Sequence, residues 1–324
     1  MNILFCSAGR RGELLKDFRK TMGDEGTIVA TDNSNIAPAL YFADKRYLAP
    51  KIDDPRYVDF LLEICVKESI DAITTLIDPE IEILANNREK FEARGVLVLA
   101  PYPETAQLCF DKYEMYKHLV ANGVPTVKTY GDLDSFNEAQ ESGEIIFPVF
   151  VKPRRGSGSV GARRIETIEE LRIAFEEDPT LIVQELMTVE DVDADVYVDA
   201  ISHELVTAFT KKKLSTTIGG ANKTVSFKDE AFFEAIRKAV SVLTLCGPSD
   251  IDFFYKDGKY LLSEVNPRFG GAYLHAYGAG VDFVRLIESN IDGKINKPSF
   301  GNYDNDIVML MYDSVVIKTR EELV

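Results

Sequence analysis

The stretch Leu261-Leu-Ser-Glu-Val-Asn-Pro-Arg268 carries a carboxylate, a carboxamide and a guanidinium at every second position. On a strand alternate side chains share a face, so Glu264, Asn266 and Arg268 point one way and Val265 the other. Oxygen donors beside a guanidinium suit a hard divalent cation next to a phosphate. Mg2+ takes oxygen ligands and shares them with phosphates, and arginine grips phosphate as a fork. Pro267 has no backbone donor and fits a strand end.

A further acid, Asp252, lies in Ile251-Asp-Phe-Phe-Tyr-Lys-Asp-Gly-Lys-Tyr260, where Asp257-Gly258 marks a hairpin. The loop length decides which face Asp252 shares. A two-residue turn pairs Lys256 with Lys259 and, in a regular ladder, aims Asp252 away from Glu264. A three-residue loop with Gly258 in a left-handed bulge pairs Tyr255 with Lys259, and Asp252, Glu264 and Asn266 then converge. The three-residue loop is the expectation; an ordinary hairpin with solvated acids is the plain alternative.

Phosphate chemistry also has a candidate in Phe147-Pro-Val-Phe-Val-Lys-Pro-Arg-Arg-Gly-Ser-Gly-Ser-Val-Gly161. An apolar strand ends in Lys152, and a loop follows with Gly156, Ser157, Gly158, Ser159 and Gly161. Glycines let backbone N–H groups crowd an anion, and serines add donors. A second strand follows rather than a helix, so this is not a P-loop. A surface hairpin would account for the same glycines.

Asp191, Asp193, Asp195 and Asp199 recur at even spacing, which places acids on one face of a strand. That face is either solvated or, at its near end, a partner for a sugar hydroxyl. On the returning strand Lys211 and Lys213 share a face.

Several elements must position these residues. Residues 1 to about 100 alternate strand and helix, which implies a parallel sheet covered by helices. Ligands in such sheets sit beyond the carboxyl ends of the strands, here Ser7 to Arg11, Asp32-Asn33 and Asp78. A dinucleotide fingerprint would need glycine where Ser7 stands, and the two arginines of that loop suit an acidic substrate as well as a cofactor phosphate. Residues 104 to 122 read as one helix with Asp111-Lys112 near its middle. A helix opens at the Thr167-x-x-Glu170 capping box, and Leu181 to Met187 reads as a strand entering the next unit. Ile307 to Tyr312 reads as a last strand.

Composition sets bounds. With 324 residues, 45% of them apolar, the chain can build two or three packed units. A net charge of −16 argues against a nucleic-acid surface, so positive charge at a phosphate site must be local. The four cysteines are dispersed without a Cys-x-x-Cys pair, as expected of reduced thiols in a cytoplasmic protein. No apolar run approaches the roughly 20 residues of a membrane span, and no signal peptide is expected.

Taken in order, Lys112, Lys152, the 156–161 loop, Gln184-Glu185, Asp252, Glu264 and Asn266-Pro-Arg268 resemble the ATP-grasp superfamily, most nearly one half of the carbamoyl phosphate synthase large subunit. The acidic strand from Asp191 has the spacing of that family, although Asp252 stands where carbamoyl phosphate synthase has glutamine. The resemblance implies a mixed α/β and α+β fold: a Rossmann-like parallel-sheet domain over 1–103, then a two-subdomain ATP-grasp fold. Residues 104–187 would form the small subdomain with the glycine loop, and 188–324 the subdomain with the metal site.

It also implies ATP and Mg2+ as cofactors, with Mn2+ as a substitute, and small carboxylate and amine substrates; a homodimer is compatible with it. By the same resemblance Lys112, Lys152, Gly156, Ser157, Gly158, Ser159 and Gly161 hold phosphates. Gln184, Glu185, Leu186 and Met187 form the adenine hinge, and Asp191 or Asp193 takes the ribose. Asp252, Glu264 and Asn266 bind the metal, while Arg268 and Lys211 or Lys213 stabilise the transferring phosphoryl group. The implied reaction makes an acyl phosphate for attack by an amine. A nucleotide-binding partner subunit without turnover is the alternative.

Overall fold

The computed structural model describes residues 1–156, 160–217 and 220–323. Its first unit is a parallel sheet of β1 (Asn2–Cys6), β2 (Thr27–Asp32), β3 (Lys45–Leu48), β4 (Ala72–Thr75) and β5 (Leu97–Val98). Their order is β3-β2-β1-β4-β5. β1 is apolar on both faces because helices cover both: Ile3 and Phe5 face one core, Leu4 and Cys6 another. The strand order reverses beside β1, so the carboxyl ends of β1 and β4 open a crevice there.

The helix expected over 104–122 is two helices, Pro103–Phe110 and Lys112–Ala121. Asp111 breaks the run because it leaves helical geometry and caps the second helix, accepting from the Tyr113 and Glu114 amides at 3.2 and 3.1 Å.

A four-stranded antiparallel sheet follows: β6 (Thr129–Tyr130), β7 (Val149–Pro153), β8 (Arg163–Ile165) and β9 (Leu181–Glu185), ordered β6-β9-β7-β8. It has its own small core around Phe136, Val149, Val151 and Leu171. The third sheet is antiparallel, with β10 (Glu190–Val198), β11 (Leu205–Thr217), β12 (Gly220–Ser226), β13 (Gly247–Lys256), β14 (Lys259–Asn266) and β15 (Val308–Leu310). Its order is β14-β13-β10-β11-β12-β15.

The first unit and this third sheet share one core. Phe5 packs edge-on against Phe18 at 4.8 Å, Phe18 against Phe269 at 5.6 Å, and Phe269 against Tyr273 at 4.9 Å. Each such buried ring contributes about 1.5–3 kcal/mol. The aromatic chain fixes the loop after β1 against the loop after β14, and so fixes Arg11 relative to Arg268. By contrast, β9 reaches the third sheet through the short connection at Leu186 and Met187.

The hairpin β13–β14 departs from expectation in one respect. Its turn is the two-residue kind: Lys256 pairs with Lys259, and Asp257 and Gly258 both take positive φ, 50° and 77°. The bulge lies within β14 instead. Phe253 pairs with Leu262 and Asp252 with Glu264, leaving Ser263 as an extra residue. That extra residue restores the parity that the short turn would have reversed.

Candidate functional site

A cavity of about 510 Å3 lies where the three sheets meet. Its floor is the face of the third sheet that carries Asp191 and Asp193 on β10, Lys213 on β11, Asp250 and Asp252 on β13, and Glu264 and Asn266 on β14. Lys112, Lys152, Gly156, Val160 and Ala162 close one side, and Arg11, Asp78 and Arg268 close the far end.

The expected oxygen donors converge. Asp252 sits opposite Glu264, and Asn266 donates to the Asp252 carboxylate at 3.3 Å. Lys112 stands 3.6 Å from Glu264 and donates to the Gly156 carbonyl at 2.6 Å. Among the described residues no trio of Asp, Glu, His or Cys side chains converges to hold a metal. A cation here would therefore use two carboxylates and the Asn266 amide, all oxygen donors, which fits Mg2+ and not a soft metal. Lys213 now occupies the charge that a cation would share, paired with Asp252 and, at 2.9 Å, with Asp191. Burial works against its charge, but Asp252, Asp193 and Asp191 outweigh it and raise Lys213 above the usual lysine range.

Two lysines, Lys112 and Lys152, flank one side of the cavity. Lys152 on β7 is shifted below the ordinary lysine value, mainly by burial, with Lys112 pushing the same way and Glu264 and Asp252 opposing. Its strand is tied down at the exit: Arg154 grips Asp111 at 2.6 and 2.8 Å and Glu114 at 2.7 Å. Asp111 thus caps the helix of Lys112 and anchors the strand of Lys152, so one carboxylate sets both lysines. The spacing Asp111-x-x-Glu114 would have signalled this cap in the sequence. Gly156 and Gly161 have φ of 124° and 76°, backbone that other residues rarely adopt. Ser157, Gly158 and Ser159 lie outside the described residues.

The acidic strand is not a solvated face. Asp193, Asp195 and Asp199 are buried because β10 is central, flanked by β13 and β11. Lys211, which the resemblance offered beside Lys213 as a stabiliser of phosphoryl transfer, is instead wholly buried between Asp193 and Asp195 and does not line the cavity. Burial raises Asp193 and Asp195 to about 6 despite that lysine. Asp191, half-buried and on the cavity, is the more accessible of the two residues expected near a sugar hydroxyl. Asp199 lies off the site. It accepts from the Ile201, Ser202 and Asn296 amides and from the Asn290 and Asn296 side chains, all within 3.0 Å.

The expected hinge falls between the second and third sheets. Gln184 donates to Thr129 at 2.8 Å, Glu185 pairs with Lys256, and Leu186 and Met187 are half-buried. None of these four side chains lines the cavity described above.

At the far end Arg268 bonds Asp78 at 2.7 Å, joining the third sheet to the carboxyl end of β4. Arg11 donates to the carbonyls of Gly270 and Phe269 at 2.9 and 3.2 Å. Burial, with Arg268 nearby, lowers it to about 10. Arg10 is exposed, and His275 is buried against Thr224, so neither joins Arg11 at the cavity. Asp250 was not anticipated. Burial and the neighbouring Asp252 and Asp193 push it up to about 7. Its position two residues before Asp252 on one strand is the signal that could have found it.

The dinucleotide reading of the first loop fails on Asp32. Its carboxylate accepts the Gly9 amide at 2.8 Å and the Ser34 amide at 2.9 Å, so it props the loop instead of meeting a ribose.

Known proteins resemble this chain in sequence and in fold. Residues 3–99 match the PylC-like, N-terminal domain, and residues 109–272 match the ATP-grasp domain. The chain is 26% identical to biotin carboxylase 2 of Bacillus subtilis over 178 residues, covering 51% of this chain and 39% of that one. It is 25% identical to the D-alanine–D-alanine ligase of Corynebacterium aurimucosum over 231 residues, 62% of this chain and 64% of the ligase. The arginine-specific carbamoyl phosphate synthase large chain of Bacillus subtilis is 19% identical over 258 residues, 76% of this chain but 24% of that one. The chain thus spans less than two thirds of the first two relatives. In structure it is similar to the biotin carboxylase domain of Hydrogenobacter thermophilus 2-oxoglutarate carboxylase, solved with MgADP, ADP and bicarbonate. There the TM-score is 0.75 at 18% identity, covering 95% of this chain and 73% of the other. It is likewise similar to N5-carboxyaminoimidazole synthetase of Staphylococcus aureus complexed with ADP, with TM-score 0.74 at 19% identity over 92% and 79% of the chains. Among the described residues no helix is long and apolar enough to cross a membrane. With the ATP-grasp domain matching half of its length, the chain belongs to the ATP-grasp family.

Proposed function

We propose that the protein is an ATP- and Mg2+-dependent ligase that activates a small carboxylate as an acyl phosphate for attack by an amine. The observation that carries this reading is the bulge at Ser263. It turns Glu264 and Asn266 onto the face of Asp252, inside the cavity that also holds Lys112, Lys152 and Arg268.

Lys112, Lys152 and the backbone around Gly156 and Gly161 hold the phosphates; Asp191 meets the ribose, and Gln184 to Met187 border the adenine. Asp252, Glu264 and Asn266 would hold Mg2+, which when bound neutralises charge on the polyphosphate. A carboxylate oxygen attacks the γ-phosphorus and ADP leaves. The amine nitrogen then attacks the acyl carbon, the bond to phosphate breaks, and the amine gives up a proton. Arg268 and Lys213 face the transferring group. Sealing the cavity protects the acyl phosphate from water.

The finer likeness to carbamoyl phosphate synthase does not single out a substrate, since biotin carboxylase and D-alanine–D-alanine ligase match the same region. The test is ADP release from Mg-ATP with a panel of carboxylates, using hydroxylamine to trap any acyl phosphate as a hydroxamate. Hydroxamate formed in step with ADP supports the ligase. Nucleotide binding without ADP release across the panel supports the partner-subunit alternative.

A further inference from the structure

The far end of the cavity holds two opposite charges that do not pair with each other. Arg11 comes from the first unit and Asp250 from β13, and both line the cavity. Among the described residues Arg11 has no carboxylate within 4 Å, and Asp250 has no cationic side chain within 4 Å. The neighbouring charges are already matched, Arg268 by Asp78 and Lys213 by Asp191 and Asp252.

Gly270 separates the unmatched pair. Its carbonyl accepts from Arg11 at 2.9 Å, and a Cβ added to it would stand 2.9 Å from the Asp250 carboxyl carbon and 2.7 Å from Asp195. Glycine therefore lets the backbone after β14 pass directly against the Asp250 side chain while its carbonyl holds Arg11. The guanidinium spends one N–H on each of two carbonyls, so three of its five donors remain. The shared aromatic core ties the two sides together, Phe18 lying on the helix that Arg11 precedes and Phe269 immediately before Gly270.

A half-buried cation and anion, each short of a partner and facing one gap, match a ligand carrying both charges on adjacent atoms. We propose that Arg11 and Asp250 form a subsite for the zwitterionic end of an α-amino acid, its carboxylate on Arg11 and its ammonium on Asp250. This rests on the ligase reading and narrows one of the two substrates to an amino acid. It also gives the first unit a direct part in substrate choice.

Thermal unfolding of the full chain tests it, with Mg2+ and a non-hydrolysable ATP analogue present. Three probes are compared: a pool of the proteinogenic L-amino acids, their N-acetyl derivatives without the ammonium, and their amides without the carboxylate. The amino-acid pool should raise Tm by a further ~2 °C or more, and the two one-charge pools should not. Asp250→Asn should lose the amino-acid shift and keep the nucleotide shift. A nucleotide shift with no response to the amino-acid pool overturns the subsite and leaves the ligase reading standing. Equal shifts from all three pools also overturn it, as does a full amino-acid shift in Asp250→Asn. Absence of any nucleotide shift fails the ligase reading itself.

Discussion

Asp252 and Glu264 stand opposite one another on β13 and β14 because Ser263 is an extra residue in the ladder between them. A two-residue turn and a regular ladder would have sent Glu264 into the apolar core beneath the sheet, where Val265 now lies at 2% exposure. Register has period two, so one inserted residue moves a whole strand end from one face to the other.

Glu264→Ala removes a half-exposed oxygen donor without opening a core cavity. We expect ADP release from Mg-ATP to be abolished while Tm changes little. Unchanged turnover at saturating Mg2+ would remove Glu264 from the metal set.

The cofactor is tested by differential stabilisation. Mg-ATP at a hundred times its Kd should add about 2.7 kcal/mol to folding, and NADH should add nothing because Asp32 is engaged by Gly9 and Ser34. Calorimetry with each ligand decides the matter, and stabilisation by NADH alone would reverse the assignment.

Lys211 is the ammonium of a buried triad with Asp193 and Asp195. Lys211→Met should cost about 3–5 kcal/mol, because it leaves two carboxylates buried without their cation. Converting both acids to Asn in the same chain should recover most of that loss. Urea unfolding of the single and triple variants measures both. If Lys211→Met unfolds like wild type, the triad is not a stability element.

His275 supplies a pH dependence. Burial, and then the Lys211 ammonium, hold its imidazole down to about 4, with the Ile307 backbone opposing. A lowered folded pKa means the neutral ring is favoured in the native state. Its contribution is therefore complete above the unfolded value of about 6.5 and is lost as pH falls through about 4. Between pH 7 and pH 4 the wild type should lose on the order of 2 kcal/mol more than His275→Asn. Denaturant melts at the two pH values give the comparison, and parallel losses would refute the linkage.

Much of this architecture is legible in the residues themselves. The alternation of strand and helix over the first hundred residues dictates a parallel sheet, since each apolar strand needs helices on both faces. The strand ending in Lys152, the acid–amide–arginine row from Glu264, and the even spacing from Asp191 each follow from local period, which the chain carries without tertiary help. Two things were decided only by the fold. Whether acids on one strand face are wet or buried depends on where the strand lies in the sheet. Asp193 and Asp195 are buried because β10 became central, and they took Lys211 away from the cavity to balance their charge. The second is the meeting of distant residues. Arg11 and Asp250 line one cavity, and Asp78 bonds Arg268, each pair more than 180 positions apart. They do so because Phe18 and Phe269 bury into a common core, a contact that no local periodicity encodes.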